Sequence, residues 1–545
     1  MPSPMHRMVV EEPCGTGFSE SLGDSSGDAH TESLHLGKIR VLEAAEPLRT
    51  SESHESTLVA LLESNWKLLA VCFGVASAGF FFGYDTGTIG GITAMQPWLA
   101  HFGQSDSTNQ SYFMPTVRVG TIVSAFHVGC VSGGFSIARL SDSFGRRMPI
   151  AFACITYALG VSIQVCSVQG AWIQYLVGRI VVGLAVGSNA VVVPMLLSEI
   201  APPGLRGVVV AFYGICVTHG ILLGYITDYV AKSVYADDRA WRIPLAVGYS
   251  FSLILGFALA RVPESPRFLI QKGRNQEALA SITSFKKMTA NAMADDPVRC
   301  DAIEEFEYLR TVYEYQQHET AGVAFWHLFN RRYLKRTVSG MCVMAFQQLA
   351  GIDYFLYYGT SLFQSVGMHD SYVTSILLGT INAVTRYISI FVADNWGRRP
   401  GLILGSLGCF VCLAVFSTAG VFAVDHHSAY LDGHTAGIVM VIFTCLYIAV
   451  FSCSWAAVAP VLVSEIFTLS IKSRAMALSQ SLNWATNFFI ALCTPIATAS
   501  MGYGFGYVFA AAMLISLCCV LILIPETKGM TLEQIDTFYD KINGF

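Results

Sequence analysis

The sequence predicts an all-α membrane protein of twelve spanning helices arranged as two six-helix halves, and three observations predict it. Of its 545 residues, 53% are hydrophobic and only 13% charged, about half the charge of a soluble domain. Apolar segments long enough to cross a bilayer recur twelve times. Charged loop motifs of the first half return in the second, as internal repeats of membrane carriers do.

In chain order, residues 1–65 are rich in Ser, Glu and Gly and hold no apolar core fit for a signal peptide. They read as a disordered tail. The first half, 66–262, carries segments at 67–95, 116–138, 149–167, 173–195, 207–230 and 243–262. A polar linker with helical patches, such as 299–310, fills 263–334. The second half, 335–524, carries segments at 337–362, 371–393, 401–424, 436–463, 475–498 and 505–524, and 525–545 form a short tail.

Arg139, Arg146, Arg147, Arg206, Arg398, Arg399, Lys472 and Arg474 crowd the loops on one side, with Arg331, Arg332, Lys335 and Arg336 in the linker. The opposite loops hold few such residues, Lys232 and Arg239 being exceptions. By the positive-inside rule both termini and the linker are cytoplasmic. Asn109 in Asn109-Gln110-Ser111 then faces outward as a glycan acceptor. The net charge of -5 argues against a nucleic-acid partner. Cys72, Cys154, Cys342, Cys409, Cys518 and Cys519 lie in apolar runs without metal-ligand spacing. With no phosphate loop, metal cluster or nucleophile constellation, the chain reads as no enzyme and needs no metal or cofactor; gradients drive any transport.

Within the first segment, Phe82-Gly-Tyr-Asp85-Thr-Gly-Thr-Ile-Gly-Gly91 places a carboxylate in an apolar run. A charge there costs several kcal/mol unless it is paired or faces water, so it marks a transport path, or else a staple between helices. The flanking glycines let a neighbouring helix come close. The repeat pairs Asp142-Ser-Phe-Gly-Arg146-Arg147 with Asp394-Asn-Trp-Gly-Arg398-Arg399, 252 positions later. Glu199 before Arg206 is answered by Glu465 before Arg474, acids and arginines suited to latch helix ends and re-form as the halves rock.

These motifs resemble the sugar porter family of the major facilitator superfamily, closest to fungal-type hexose transporters. The resemblance runs from about Trp66 to Asp536. It rests also on Gly178-Arg179 to Gly187, Val193-Pro194 with Glu199 to Pro202, Pro263 to Arg267, Gln347-Gln348-Leu-Ala-Gly351, Asn483-Trp484 and Pro525 to Gly529. It implies a major facilitator fold alternating access around a midplane hexose site; with no lipidation box or retrieval motif in the sequence, the plasma membrane is the default location of this multi-pass protein. Hexose hydroxyls need neutral amides and an aromatic face. Gln347, Gln348, Asn382, Asn487 and Trp484 supply them at the family's sugar-contacting positions, although an isolated Asn also glues helices together. Asp85 and Arg179 match the pair that proton-coupled members carry, but fungal-type facilitators carry the same acid, so proton symport and facilitated diffusion both stand; a monosaccharide and the bilayer are the expected partners, with protons joining them under symport.

Several positions depart from the family pattern. Phe212-Tyr213-Gly214 replaces Tyr-Gln, Leu196 replaces a tyrosine, Asp353 replaces an asparagine, and Ala456 to Pro460 replaces Gly-Pro-x-Pro-Trp. Arg386 lies one turn from Asn382. It reads either as the ion-pair partner of Asp353 or as part of a site altered for a charged or non-sugar solute, with the ion pair favoured. His127 and His219 read as satisfied buried histidines. Hexose transport therefore competes with a non-transporting sugar receptor, which the short C-terminal tail disfavours, and with a porter for a polyol, cyclic acid or secondary metabolite.

Overall fold

The computed structural model describes residues 65–105, 112–202, 205–289, 295–320, 325–365, 371–422, 433–468 and 471–528, with Met530, Gln534, Ile535 and Tyr539 beyond. The N-terminal tail and Asn109 lie outside the described residues. Apart from one two-stranded ribbon, β1 (Gln104–Ser105) paired antiparallel with β2 (Tyr112–Phe113), the architecture is helical.

Helix α1 (Trp66–Ala76) and α2 (Gly79–Ala94) form one predicted segment bent by 42° at Ser77 and Ala78. The short α3 (Gln96–Phe102) follows, then α4 (Thr116–Phe144), α5 (Arg147–Val165), α6 (Trp172–Ile200), α7 (Arg206–Val234) and α8 (Arg239–Ala260). Between the halves lie α9 (Pro266–Gln271), α10 (Asn275–Thr289) and α11 (Asp295–Thr320), with a 3₁₀ turn at Phe325–Phe329. Helix α9 starts where Pro266 cannot donate and the Ser265 hydroxyl accepts from the Phe268 N–H. These linker helices share a small core of Phe268, Leu269, Ile282 and Phe306.

The second half opens with α12 (Arg331–Leu349) and α13 (Ile352–Ser365), parted at Gly351, whose φ of +87° ends one helix and starts the next. Then come α14 (Ser371–Trp396), α15 (Arg398–Gly420), α16 (Gly433–Cys453) with α17 (Trp455–Ile466), α18 (Lys472–Met501) and α19 (Gly506–Leu523). Every predicted apolar segment falls on helix. Among the described residues nine helical runs are long and apolar enough to span a bilayer, ten with the bent α1–α2 pair. One of them, Arg474–Leu523, is fifty residues long and covers the last two predicted segments. The seventh segment is absent from that set because α12 begins with Arg331, Arg332, Lys335 and Arg336 and is broken at Gly351.

The outward surface is apolar, with Leu253, Phe257, Phe391 and Ile522 exposed. Such a girdle belongs in lipid rather than water. Inside, glycine sets the helix spacing. A Cβ at Gly79, Gly83 or Gly87 of α2 would run into the backbone of α7 at Tyr213, Val217 or Ile221. Packing of backbone on backbone is how helices associate where lipid is as apolar as leucine.

Three larger cores divide the spanning helices. One gathers the first half around Phe81, Tyr157 and Leu197, and one gathers the second around Phe355, Phe416 and Trp455. The third joins both halves, with Ile92, Trp98 and Trp241 against Tyr357, Tyr372 and Ala491. It lies at the end opposite the arginine-rich loops.

Candidate functional site

Helices α2, α4 and α7 meet α13, α14 and α18 along a seam. Its far end is sealed by hydroxyls donating across it. Tyr225 Oη of α7 donates to the Leu356 carbonyl at 2.8 Å, and Tyr372 Oη of α14 donates to the Gly91 carbonyl at 2.9 Å. Nearer the middle, His127 Nε2 lies 3.1 Å from Tyr357 Oη. Trp484 of α18 inserts into the first half's core, 5.3 Å from the Phe82 ring and 6.1 Å from the His127 ring.

The predicted amides converge beside that tryptophan. Gln347 Nε2 donates to the Trp455 carbonyl (3.1 Å), Asn483 Nδ2 donates to Gln347 Oε1 (2.9 Å), and Gln348 Nε2 donates to Asn483 Oδ1 (3.0 Å). Asn483, which sequence reasoning passed over as a site residue, is therefore the hub that orients both glutamines. One turn on, Asn487 faces Asp353. Gln348 Oε1, Asp353 Oδ2 and both polar atoms of the Asn487 side chain are buried without a well-formed hydrogen bond. Each unsatisfied group costs about 1–3 kcal/mol, which water or ligand hydroxyls would relieve. Asn382 stands apart from this net, accepting from Ser452 Oγ at 3.0 Å.

Asp85 and Arg179 are brought together as expected. Arg179 Nη1 lies 2.6 Å from both carboxylate oxygens, and the pair is 5% and 1% exposed. Arg179 Nε and Nη2 have no acceptor, and the guanidinium carbon sits 4.9 Å from the Phe126 ring centre. The pair is thus held by one nitrogen.

The expected Asp353–Arg386 ion pair is not formed. Arg386 points toward α7, where a Cβ at Gly214 would overlap its guanidinium, and donates to the Ala456 carbonyl at 3.4 Å. The loss of a side chain at Gly214 makes room for the arginine and draws it away from α13. His219 is satisfied, by the Ile215 carbonyl (2.9 Å) and Tyr387 Oη (3.2 Å). His127 makes a well-formed hydrogen bond through Nε2 only; Nδ1 faces the Ser124 backbone without one.

At the arginine-rich end the acids take other partners than their sequence neighbours. Glu199 binds Arg146, at 3.2 and 3.3 Å, rather than Arg206; Glu465 binds Arg398, at 2.9 Å, rather than Arg474. The reason is topological, since helix ends 53 and 67 positions apart are neighbours in space. Asp142 is exposed at the end of α4, and the Asp394 side chain lies outside the described set.

Glu264 and Glu526 complete these knots. Glu264 accepts from the Arg146 and Arg147 N–H groups (2.9 and 3.3 Å), Glu526 from those of Arg398 and Arg399 (both 3.0 Å). Each carboxylate therefore caps the start of a helix, α5 or α15, where the dipole favours negative charge. Partial burial acts to raise the pKa of Glu526, but the N–H groups of Lys528, Arg398, Arg399 and Thr527 outweigh it and hold the carboxyl below its ordinary range. Ser265 and Thr527 donate to Glu199 and Glu465 at equivalent places. The signal for these acids was the Pro-Glu dipeptide closing each half.

Two helical halves, joined at one end of a seam lined by unsatisfied amides, define a multi-pass membrane carrier rather than an enzyme. The chain belongs to the sugar (and other) transporter family, whose model matches residues 71–539. It is 37% identical over 480 residues to the hexose transporter HXT10 of Saccharomyces cerevisiae, covering 87% of this chain and 86% of that protein. It is 36% identical over 544 residues to the low-affinity glucose transporter of Kluyveromyces lactis, covering 96% and 93%. Among solved structures it is similar to the proton:xylose symporter XylE bound to 6-bromo-6-deoxy-D-glucose. There the TM-score is 0.70 at 25% identity, covering 87% of this chain and all of that one.

Proposed function

We propose that the protein carries hexoses across the plasma membrane by alternating access, with the arginine-rich face and both termini in the cytoplasm and Asn109 outside as a glycan acceptor. The observation that carries this is the amide net. Gln347, Gln348, Asn483 and Asn487 sit beside an aromatic face with unsatisfied donors and acceptors, the chemistry that a ring of hydroxyls needs. The relatives named hexose and glucose transporters support the same solute class. Trp484 offers the face, and Asp353 and Asn382 complete the binding set.

The seam sealed at Tyr225 and Tyr372 is the outer gate. The repeated knots of Arg146, Arg147, Glu199 and Glu264, and of Arg398, Arg399, Glu465 and Glu526, latch neighbouring helix ends and re-form as the halves rock. Boundaries at 66–262, 263–334 and 335–524 divide the halves from the linker. Asp85 and Arg179 couple proton entry to sugar entry, since protonating the acid releases the arginine.

Uptake of radiolabelled glucose into cells lacking their own hexose carriers tests both claims. Saturable uptake that a protonophore abolishes supports symport through Asp85; uptake that survives it leaves a facilitator. No uptake from protein present at the surface overturns hexose transport. Arg386, with Nε unpartnered, favours a second reading: a porter for an acidic solute. Competition by a sugar acid but not by glucose would establish it.

A further inference from the structure

The apolar run of α7 contains a second intramembrane acid. Asp228 is fully buried, and neither carboxylate oxygen has a hydrogen-bond partner. It packs directly against the sealed end of the seam, where a Cβ at Gly91 of α2 would overlap its Oδ2. The Gly91 carbonyl on the other side accepts the Tyr372 hydroxyl that ties α2 to α14, and Tyr225, one turn before Asp228, ties α7 to α13.

No cation neutralises it among the described residues. Lys232, one turn on along α7, extends instead to the Tyr372 ring, 4.1 Å away. The titratable groups that face Asp228 are all tyrosines: Tyr84 of α2, Tyr175 of α6 and Tyr225 of its own helix. The Tyr84 hydroxyl is taken by the Pro244 carbonyl at 2.6 Å and that of Tyr225 by Leu356, while that of Tyr175 faces Trp98 without a well-formed hydrogen bond. An ionised carboxylate in this setting would be neither paired nor solvated, a state that buried acids avoid by taking up a proton.

We propose that Asp228 is a second proton-binding site, separate from Asp85, that holds its proton while the two halves are closed over Gly91 and releases it when that seam opens to water. The step is a reversible protonation, with the proton exchanged with solvent on the opened side. Because the closed state binds a proton that the open state does not, acid favours closure and alkali favours opening. The outer gate is then a pH-sensitive element independent of the coupling pair. This rests on the alternating-access reading, so its test uses conformation and protonation rather than transport.

Purified full-length protein would carry spin labels at Val234→Cys and Val373→Cys, exposed positions flanking the seam on α7 and α14, in a background without reactive native cysteines. Inter-label distances are recorded from about pH 5 to about pH 8, and the open population grows by up to about tenfold per pH unit while one proton is lost. Asp228→Asn, neutral at every pH, should stay closed throughout, and Asp228→Ser should behave alike if Asn misfolds. Infrared spectra should show a buried carboxylic-acid band that Asp228→Asn removes and Asp85→Asn retains. A distance distribution that ignores pH, an Asn variant that still responds as the unmutated protein does, or a band untouched by Asp228→Asn would each overturn the proposal. Loss of glucose uptake with the pH response intact would count against hexose transport alone.

Discussion

Replacing Asp85 with asparagine should do more harm than removing both partners of its ion pair. In the structure Arg179 is 1% exposed and reaches only this carboxylate, through Nη1; Nε and Nη2 find no acceptor. Asp85→Asn leaves a guanidinium buried with no counter-charge, a loss of about 3–5 kcal/mol in other buried pairs broken on one side. Asp85→Asn combined with Arg179→Leu removes the orphan charge as well, and should recover much of that, because apolar replacement of a buried pair is often near neutral. A double-mutant cycle on unfolding of the detergent-purified protein measures the coupling. A double variant as unstable as the sum of the two singles would refute the reasoning, since the arginine would then be satisfied without the acid.

Three further outcomes follow from the same geometry. Gly145→Ala and Gly397→Ala force alanine to φ of +92° and +84° with ψ of -162° and 168°, a region that essentially only glycine adopts, at about 1–3 kcal/mol each. A Cβ there also crowds Glu264 or Glu526, so both variants should lose thermal stability. Glu526→Gln should be less stable at neutral pH. The depressed pKa means its contribution is present above the ordinary carboxylate value of about 4.3 and fades as pH falls through the lower folded value, so the two melting curves should converge in acid. Gln348→Ala removes a buried acceptor facing the seam. Glucose uptake should show KM raised by up to about tenfold, the worth of one hydrogen bond, and little change at saturation.

The helices were legible because bilayer length and apolar composition leave few alternatives. Their breaks were not. Gly351 breaks what the sequence offered as one segment, 337–362, and the breaks at Ser77 and Ser454 sit where serine hydroxyls donate back to the Gly74 and Val450 carbonyls, which neither serine announces by itself. Residue identity also located the amides, but not their order. That Asn483 rather than Trp484 orients the glutamines depends on which face of α18 turns toward α12, and two adjacent letters do not fix it. Spacing suggested Asp353 for Arg386 because both were unusual charges on neighbouring segments. The small residue at Gly214 decided otherwise, by opening a slot on a third helix. Asp228 was passed over inside the predicted segment 207–230, because its isolation could be read only once its surroundings were known.

The bonds that seal the seam have an asymmetry with consequences for how this gate tolerates change over generations. Tyr225 and Tyr372 donate to main-chain carbonyls, at Leu356 and Gly91, rather than to side chains. Every residue type offers a carbonyl, so Leu356 can drift in sequence without losing its bond, provided its backbone stays where it is. Gly91 is not free in this way, since a Cβ there would overlap Asp228 Oδ2. The Tyr225 bond therefore has half the genetic target of one built from paired side chains, and it needs no compensating partner when Leu356 varies.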